Sequence, residues 1–402
     1  MTATPPATDA RSRPLIALCF FVAVFEGFDI QAIGVAAPLL VTHFGLSYFE
    51  IGAVLSIDMV GCVIGAATGG WLADRVGRKL VLICAVSTFG VLTLAMTAAS
   101  GYSSLLIIRL VIGLGLGAAM PNLIAIAIEN SQPSRRTRTV TMIFCGLPAG
   151  GALSALVGGM TMPEYGWVPL FVIGGLLPLG ITPMLHIALS TKCFASEVPT
   201  SNAPTRALHG LFGARRYTAT MLMWLALFLT MMILYLMLKW LPLLVEGKAL
   251  DPATASASAL AFTTAGIVGI LVTGYLVDKY GAIWPIALTY SGAALSMFAL
   301  ALSDSSALAL ASTGLAGFCV LGALYSLYGI VPMFYPPDCR GTGIGAAVAI
   351  GRLGSIVGPL AVAGLFANGF TVDAVFLSTV PIAIVACLAA IAAPKAAYVY
   401  PN

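Results

Sequence analysis

Six charged residues, Glu26, Asp29, Asp58, Arg109, Lys239 and Arg352, stand inside long apolar runs of a 402-residue chain of which only 8% is charged. In hydrocarbon each such charge costs about 2.5–3.5 kcal/mol on insertion scales, so each needs a partner, a wet cavity or a function. Three are acidic and three basic, a balance that points to mutual neutralisation. Glu26 and Asp29 stand three residues apart and share one face of a helix. Two carboxylates this close in a low dielectric cannot both ionise easily, which leaves one poised to take a proton. Coupling to a proton gradient requires such a group, and Asp29 is the expected main site. The alternative is that static ion pairs neutralise both acids.

Arg109 lies about six residues inside its run and Asp58 about eight inside its own, so at about 1.5 Å per residue both sit roughly 9–12 Å below the same face. Asp29 lies a turn or so deeper, within reach of an arginine side chain. Arg109 is therefore expected to hold the ionised Asp29 and to let go when that acid is protonated. Asp58 is either a second acid or only the neutraliser of Arg109. Arg352 falls near the middle of its run, among Gly351, Gly354 and Gly358, which let other helices and a ligand approach its backbone. A guanidinium fork in a partly dry cavity suits bidentate carboxylate recognition; a structural pair with a neighbouring helix is the other reading. Lys239, beside Trp240 near the end of a run, either snorkels to the interface or touches a ligand. An aromatic ligand needs apolar walls and ring-stacking partners. Tyr325, Tyr328, Tyr235 and Phe144 are the candidates, each open to a reading as ordinary packing.

The elements that must position these residues are membrane spans. At 60% apolar content and a mean hydropathy of +1.02, the composition excludes a soluble domain, a nucleic-acid binder, a disordered regulator and a disulfide scaffold. The net charge of +4 is too small and dispersed to bind phosphate backbones. Cys19, Cys62, Cys84, Cys145, Cys319 and Cys387 sit in apolar runs with no CxxC pair, which suits small buried residues rather than bridges or a metal site. No Walker-type loop is present, and His43, His186 and His209 fall at run edges or in a loop, so neither ATP coupling nor an embedded enzyme has support. Spans of about 20 apolar residues are expected at 14–41, 50–73, 79–99, 103–129, 139–161, 166–189, 217–246, 254–277, 283–302, 306–334, 341–368 and 373–393. The first, with acids in its middle and a short polar lead, is expected to be retained rather than cleaved as a signal peptide.

Fifteen of the 19 basic residues, among them Arg75, Arg78, Lys79, Arg136, Lys279 and Arg340, fall on one set of alternate connections; Lys248 alone falls on the other. By the positive-inside rule both termini are cytoplasmic. The polar stretch 190–216 is a cytoplasmic linker dividing a six-helix bundle, 1–189, from a second, 217–402. The halves repeat: Gly70, Asp74 and Gly77 recur as Gly274, Asp278 and Gly281, and Arg136 recurs as Arg340, all 204 residues on. An even number of spans per half keeps the copies in the same orientation, the parallel-repeat plan of carriers that rock two bundles around a midplane site. Asp74 is expected near Arg340 and the positive end of the eleventh span, with a mirror contact between Asp278 and Arg136. These pairs either clamp the cytoplasmic side or merely anchor loops.

GGWLADRVGRK after the second span and RLVIGLGLGAA in the fourth resemble the major facilitator superfamily. FEGFDIQAIGVAAPLL in the first span and RGTGIGAAVAIGRLGSIVGPL in the eleventh resemble its aromatic acid:proton symporters. PNLIAIAIE and KWLPLL are most similar to carriers of the 3-(3-hydroxyphenyl)propionate type. The resemblance covers essentially the whole chain. It implies an all-α membrane protein with twelve transmembrane helices in two six-helix parallel repeats, the major facilitator fold. It also implies a proton-coupled, non-enzymatic importer of an aromatic monocarboxylate in the inner membrane, acting as a monomer without cofactor, metal or nucleic acid. The Glu26–Asp29 pair is the pair the family points to, although many members carry Asp where this chain has Glu26. A further ion pair, Arg78 with Glu129 at the foot of the fourth span, follows from the same resemblance. A proton-driven exporter, or a carrier of another organic anion, is the alternative within the superfamily.

Overall fold

The computed structural model describes residues 9–132, 136–189, 213, 216–335 and 340–396. Among them run twelve α-helices. The first six are α1 (Asp9–Phe44), α2 (Tyr48–Val76), α3 (Arg78–Ala95), α4 (Tyr102–Glu129), α5 (Arg136–Tyr165) and α6 (Val168–Ala188). The other six are α7 (Tyr217–Glu246), α8 (Pro252–Tyr280), α9 (Ile283–Ala301), α10 (Ser306–Ile330), α11 (Arg340–Ala367) and α12 (Val372–Ala396). All twelve are long and apolar enough to cross a membrane. The hydrocarbon layer allows this outcome because a helix satisfies its backbone polar groups within itself. The linker 190–216 lies almost wholly outside the described residues.

Helix ends carry the expected punctuation. Gly77 closes the α2–α3 turn at φ 93° and Gly281 the α8–α9 turn at φ 77°, a left-handed backbone that glycine adopts without steric cost. Cys19, Cys62 and Cys319 are buried, whereas Cys84 is exposed on α3. For Cys84 the expectation of burial therefore fails; an apolar run shows that a helix is hydrophobic, not which face packs inward.

Two compact units divide the chain: Met1–Ala32 with Ile57–Glu197, and Ile33–Ser56 with Val198–Asn402. In the first, α3 packs on α4 and α6, and α5 on α6. The seam between α2 and α4 is built from glycines. A Cβ on Gly61 would fall 2.2 Å from the Leu110 carbonyl oxygen, and one on Gly113 would fall 2.1 Å from that of Asp58. Helix pairs in lipid gain from such close approach because packing, not water exclusion, holds them together. Between α1 and α5, Gly27 meets the backbone of Leu147, and Gly150 that of Val24.

In the second unit α8 packs along α10, α11 along α7, and α9 against α12. The glycine seam recurs there at the same 204-residue offset. Gly317 abuts the Phe262 carbonyl as Gly113 abuts that of Asp58, and Gly269 abuts Phe318 as Gly65 abuts Leu114. The sequence repeat is thus a repeat of packing. Ile33–Ser56 contributes Gly34, against the backbone of Leu238 and Lys239, and Gly52, against Ala363 and Trp240. The Phe366 ring stacks on both Tyr48, at 4.6 Å, and Trp240, at 5.7 Å.

Candidate functional site

Inside the first unit, four helices bring four polar side chains into a buried cluster: Asp29 from α1, Asp58 from α2, Thr93 from α3 and Arg109 from α4. Glu26 stands one turn before Asp29 on α1. Asp29, Asp58, Thr93 and Arg109 are all 0% exposed, and Glu26 is buried. One Arg109 guanidinium nitrogen donates to Asp29 Oδ2 at 2.9 Å, and the other donates to Asp58 Oδ2. Thr93 Oγ donates to Asp29 Oδ1 at 2.6 Å. Each carboxylate oxygen of Asp29 thus has its own donor. Local packing explains the meeting: Gly113, one turn along α4 from Arg109, admits the Asp58 backbone and leaves the guanidinium directly opposite that acid. Arg109 meets both acids away from solvent, and removing either partner would strand a buried charge.

The sequence places Asp29, Asp58 and Arg109 at compatible depths, and the structure joins all three. Thr93 is the member that sequence reasoning misses; a threonine in a membrane helix carries no signal of which way its hydroxyl faces. The cluster also has no copy in the second repeat. The positions 204 residues on from Glu26, Asp29, Asp58, Thr93 and Arg109 are Thr230, Ile233, Phe262, Met297 and Thr313. The packing is duplicated and the ionisable chemistry is not.

The second unit carries the other set. Tyr325 and Tyr328 of α10 meet edge to face at 6.0 Å between ring centroids. Two of the expected ring contacts therefore come together on α10. Tyr235 and Lys239 share one face of α7. Lys239 is 0% exposed, so it does not snorkel to an interface; its position near the helix end suggested an escape that its burial rules out. The glycines around Arg352 admit a neighbouring helix, as expected. Gly354 and Gly358 press against the α7 backbone at Phe228 and Met232, whereas the nearest atom to a Cβ on Gly351 would be a Met231 side-chain carbon at 3.5 Å. Phe144, half-buried on α5, belongs to the first unit.

At the ends of α3 and α4, Arg78 and Glu129 form an ion pair, and Lys79 donates to the His186 carbonyl at 2.8 Å. Asp74 and Asp278 are exposed at equivalent ends of α2 and α8. The side chains of their expected partners, Arg340 and Arg136, lie outside the described residues. No group of His, Cys, Asp and Glu able to hold a metal ion occurs among the described residues.

Twelve membrane-length helices, a duplicated packing seam and fixed charges buried within it define a polytopic membrane transporter. The chain belongs to the Major Facilitator Superfamily, whose family model matches residues 19–359 and 249–399. It is 38% identical to the 3-(3-hydroxy-phenyl)propionate transporter of Escherichia coli K12, over 96% of this chain and 95% of that protein. It is also 33% identical to the gallate transporter of Pseudomonas putida, over 86% and 84%, and 31% identical to the 4-hydroxybenzoate transporter PcaK of Pseudomonas aeruginosa, over 91% and 89%. In fold it is similar to a bacterial homolog of the human lysosomal transporter Spinster in an inward-facing, occupied conformation, with a TM-score of 0.83, 16% identity and coverage of 98% of this chain and 100% of that one. The xylose transporter XylE from E. coli follows with a TM-score of 0.76, 18% identity and 96% of both chains. The family and these relatives are transporters, not enzymes, and their bacterial membership fits a multi-pass inner-membrane protein.

Proposed function

We propose that this protein imports an aromatic monocarboxylate, such as 3-(3-hydroxyphenyl)propionate or a hydroxybenzoate, together with protons, by alternating access between two six-helix bundles joined by the linker 190–216. The observation that carries the reading is the burial of Asp29 and Arg109 against each other, in a chain whose relatives along nearly its whole length carry aromatic acids. A carboxylate held by an arginine is stable while ionised and is set free of that arginine by a proton, which is how a gradient can bias one conformation over another. Asp29 is the main proton site, with Glu26 one turn away as its partner. Asp58 is the standing counter-ion that keeps Arg109 neutralised when Asp29 is not. Arg352 takes the substrate carboxylate, Lys239 adds positive charge, and Tyr325, Tyr328, Tyr235 and Phe144 offer ring contacts. One proton with one monoanion moves no net charge, so uptake follows the pH gradient.

On the cytoplasmic side, Asp74 with Arg340 and Asp278 with Arg136 form a paired clamp, alongside Arg78 with Glu129. Both termini face the cytoplasm and the monomer is the working unit. Uptake by proteoliposomes of labelled phenylpropionates, benzoates and aliphatic acids, with the pH gradient imposed in either direction, tests the reading. Accumulation of aromatic acids only when the outside is acidic supports it. Accumulation only under the opposite gradient identifies an exporter.

A further inference from the structure

Thr93 completes the shell of Asp29, and the exchange of a proton between Asp29 and Arg109's hold on it leaves that threonine without a role. Its hydroxyl donates to Oδ1 while Arg109 donates to Oδ2. The two donors differ in kind. A guanidinium has only N–H groups and cannot accept a hydrogen bond, whereas a hydroxyl both donates and accepts. A proton added to Oδ2 would face an N–H that it cannot bond. A proton added to Oδ1 meets an oxygen with free lone pairs once the threonine O–H turns away. The side chain itself is held in place. The Thr93 methyl group lies toward Gly174 of α6, where a Cβ would come within 3.3 Å of it, and Thr93 is fully buried. The hydroxyl hydrogen can still turn about the Cβ–Oγ bond.

Resting on the proposed role of Asp29 as the proton site, we infer that Thr93 is the positioning residue that directs the proton to Oδ1, by switching from donor to acceptor as Asp29 is protonated. The proton comes from water on the acidic side and bonds to Oδ1. The Asp29 O–H then donates to Thr93 Oγ, and the threonine hydrogen turns away from Oδ1. No other group changes its proton. Among the described residues of its unit, the charged and titratable groups around Asp29 are Arg109 from α4, Asp58 from α2 acting through Arg109, and Glu26 on α1 itself; α5 and α6 pack here through Gly150 and Gly174 against α1.

Infrared difference spectra between acidic and alkaline pH on the purified protein read the switch directly. A protonated-carboxyl stretch that vanishes in Asp29→Asn should move to higher wavenumber in Thr93→Val, which is isosteric but has no acceptor, and should stay in place in Thr93→Ser. In proteoliposomes, the pH of half-maximal uptake should rise by about one unit in Thr93→Val, because a hydrogen bond to the ionised form is worth more than one to the neutral form. Thr93→Ser should keep the wild-type profile. An Asp29-dependent band that stays in place in Thr93→Val would overturn the role of Thr93 alone. A wild-type band that survives Asp29→Asn would overturn the reading of Asp29 as the proton site, and this inference with it. The spectra need folded protein but no transport, so a Thr93 variant that binds or moves substrate poorly still reports the position of the band.

Discussion

Gly113 and Asp58 touch through their main chains: a Cβ on Gly113 would fall 2.1 Å from the Asp58 carbonyl oxygen, a backbone atom that cannot swing aside. This contact sets the spacing of α2 and α4, and Arg109, one turn earlier on α4, owes its position against Asp58 to it. The equivalent contact in the second repeat, Gly317 with Phe262, sets the same spacing where no charge stands.

Gly113→Ala is therefore expected to prise the two helices apart, to destabilise the protein by about 1–3 kcal/mol as overpacking does, and to abolish uptake. Gly317→Ala should lower the melting temperature of the purified protein comparably. Gly70→Ala, with no neighbour within 4 Å of the added carbon, should leave melting temperature and uptake near wild type.

Arg109 serves two acids. Arg109→Gln should strand buried carboxylates, a loss of about 3–5 kcal/mol where a buried pair is broken, seen as a low yield of folded protein. Asp58→Asn leaves Arg109 matched by Asp29 alone and should preserve proton-driven accumulation at a reduced rate. Adding Asp58→Asn to Arg109→Gln should recover folded protein without recovering accumulation. Fluorescence-detected size exclusion separates the two effects from transport.

The parts of this architecture that are legible in the chain are those for which the membrane imposes a large penalty. Twelve apolar runs must be helices, since the hydrocarbon layer offers the backbone no other partners, and the helices follow the runs closely. Asp29, Asp58 and Arg109 declare themselves because an intramembrane charge is expensive, and helical rise alone brings them to matching depths. Small energies leave weaker traces. Thr93 is indistinguishable from the many threonines that bond their own helix, as Thr182 and Thr264 do here. Lys239 is near enough to a helix end for its long side chain to escape, so only packing shows that it does not. Gly354 and Gly358 announce a close approach, but not whether the visitor is a ligand or a helix.

Arg352 is expected to act on substrate binding more than on turnover. Arg352→Lys keeps the charge and loses the fork, and should raise KM for an aromatic acid about tenfold or more, the worth of a charge-assisted hydrogen bond, with a smaller change in maximal rate. Tyr328→Phe should have a milder effect of the same kind. Initial uptake rates over a range of substrate concentrations resolve the two parameters.

The proposed clamp between Asp74 and Arg340 calls for a charge-reversal pair. Asp74→Arg and Arg340→Asp should each cut uptake severely, and together they should restore a substantial part of it. Absence of any recovery in the double variant, at matched expression, would argue against the pairing.

Coupling at Asp29 is tested most directly by accumulation of a labelled aromatic acid in proteoliposomes, with and without an inward proton gradient, for the wild type and Asp29→Asn. The wild type should accumulate the acid above the outside concentration only when the gradient is present. Asp29→Asn should equilibrate or exchange the acid but never concentrate it. Gradient-driven accumulation by Asp29→Asn at the wild-type level, or wild-type uptake indifferent to the gradient, would contradict the proposed coupling.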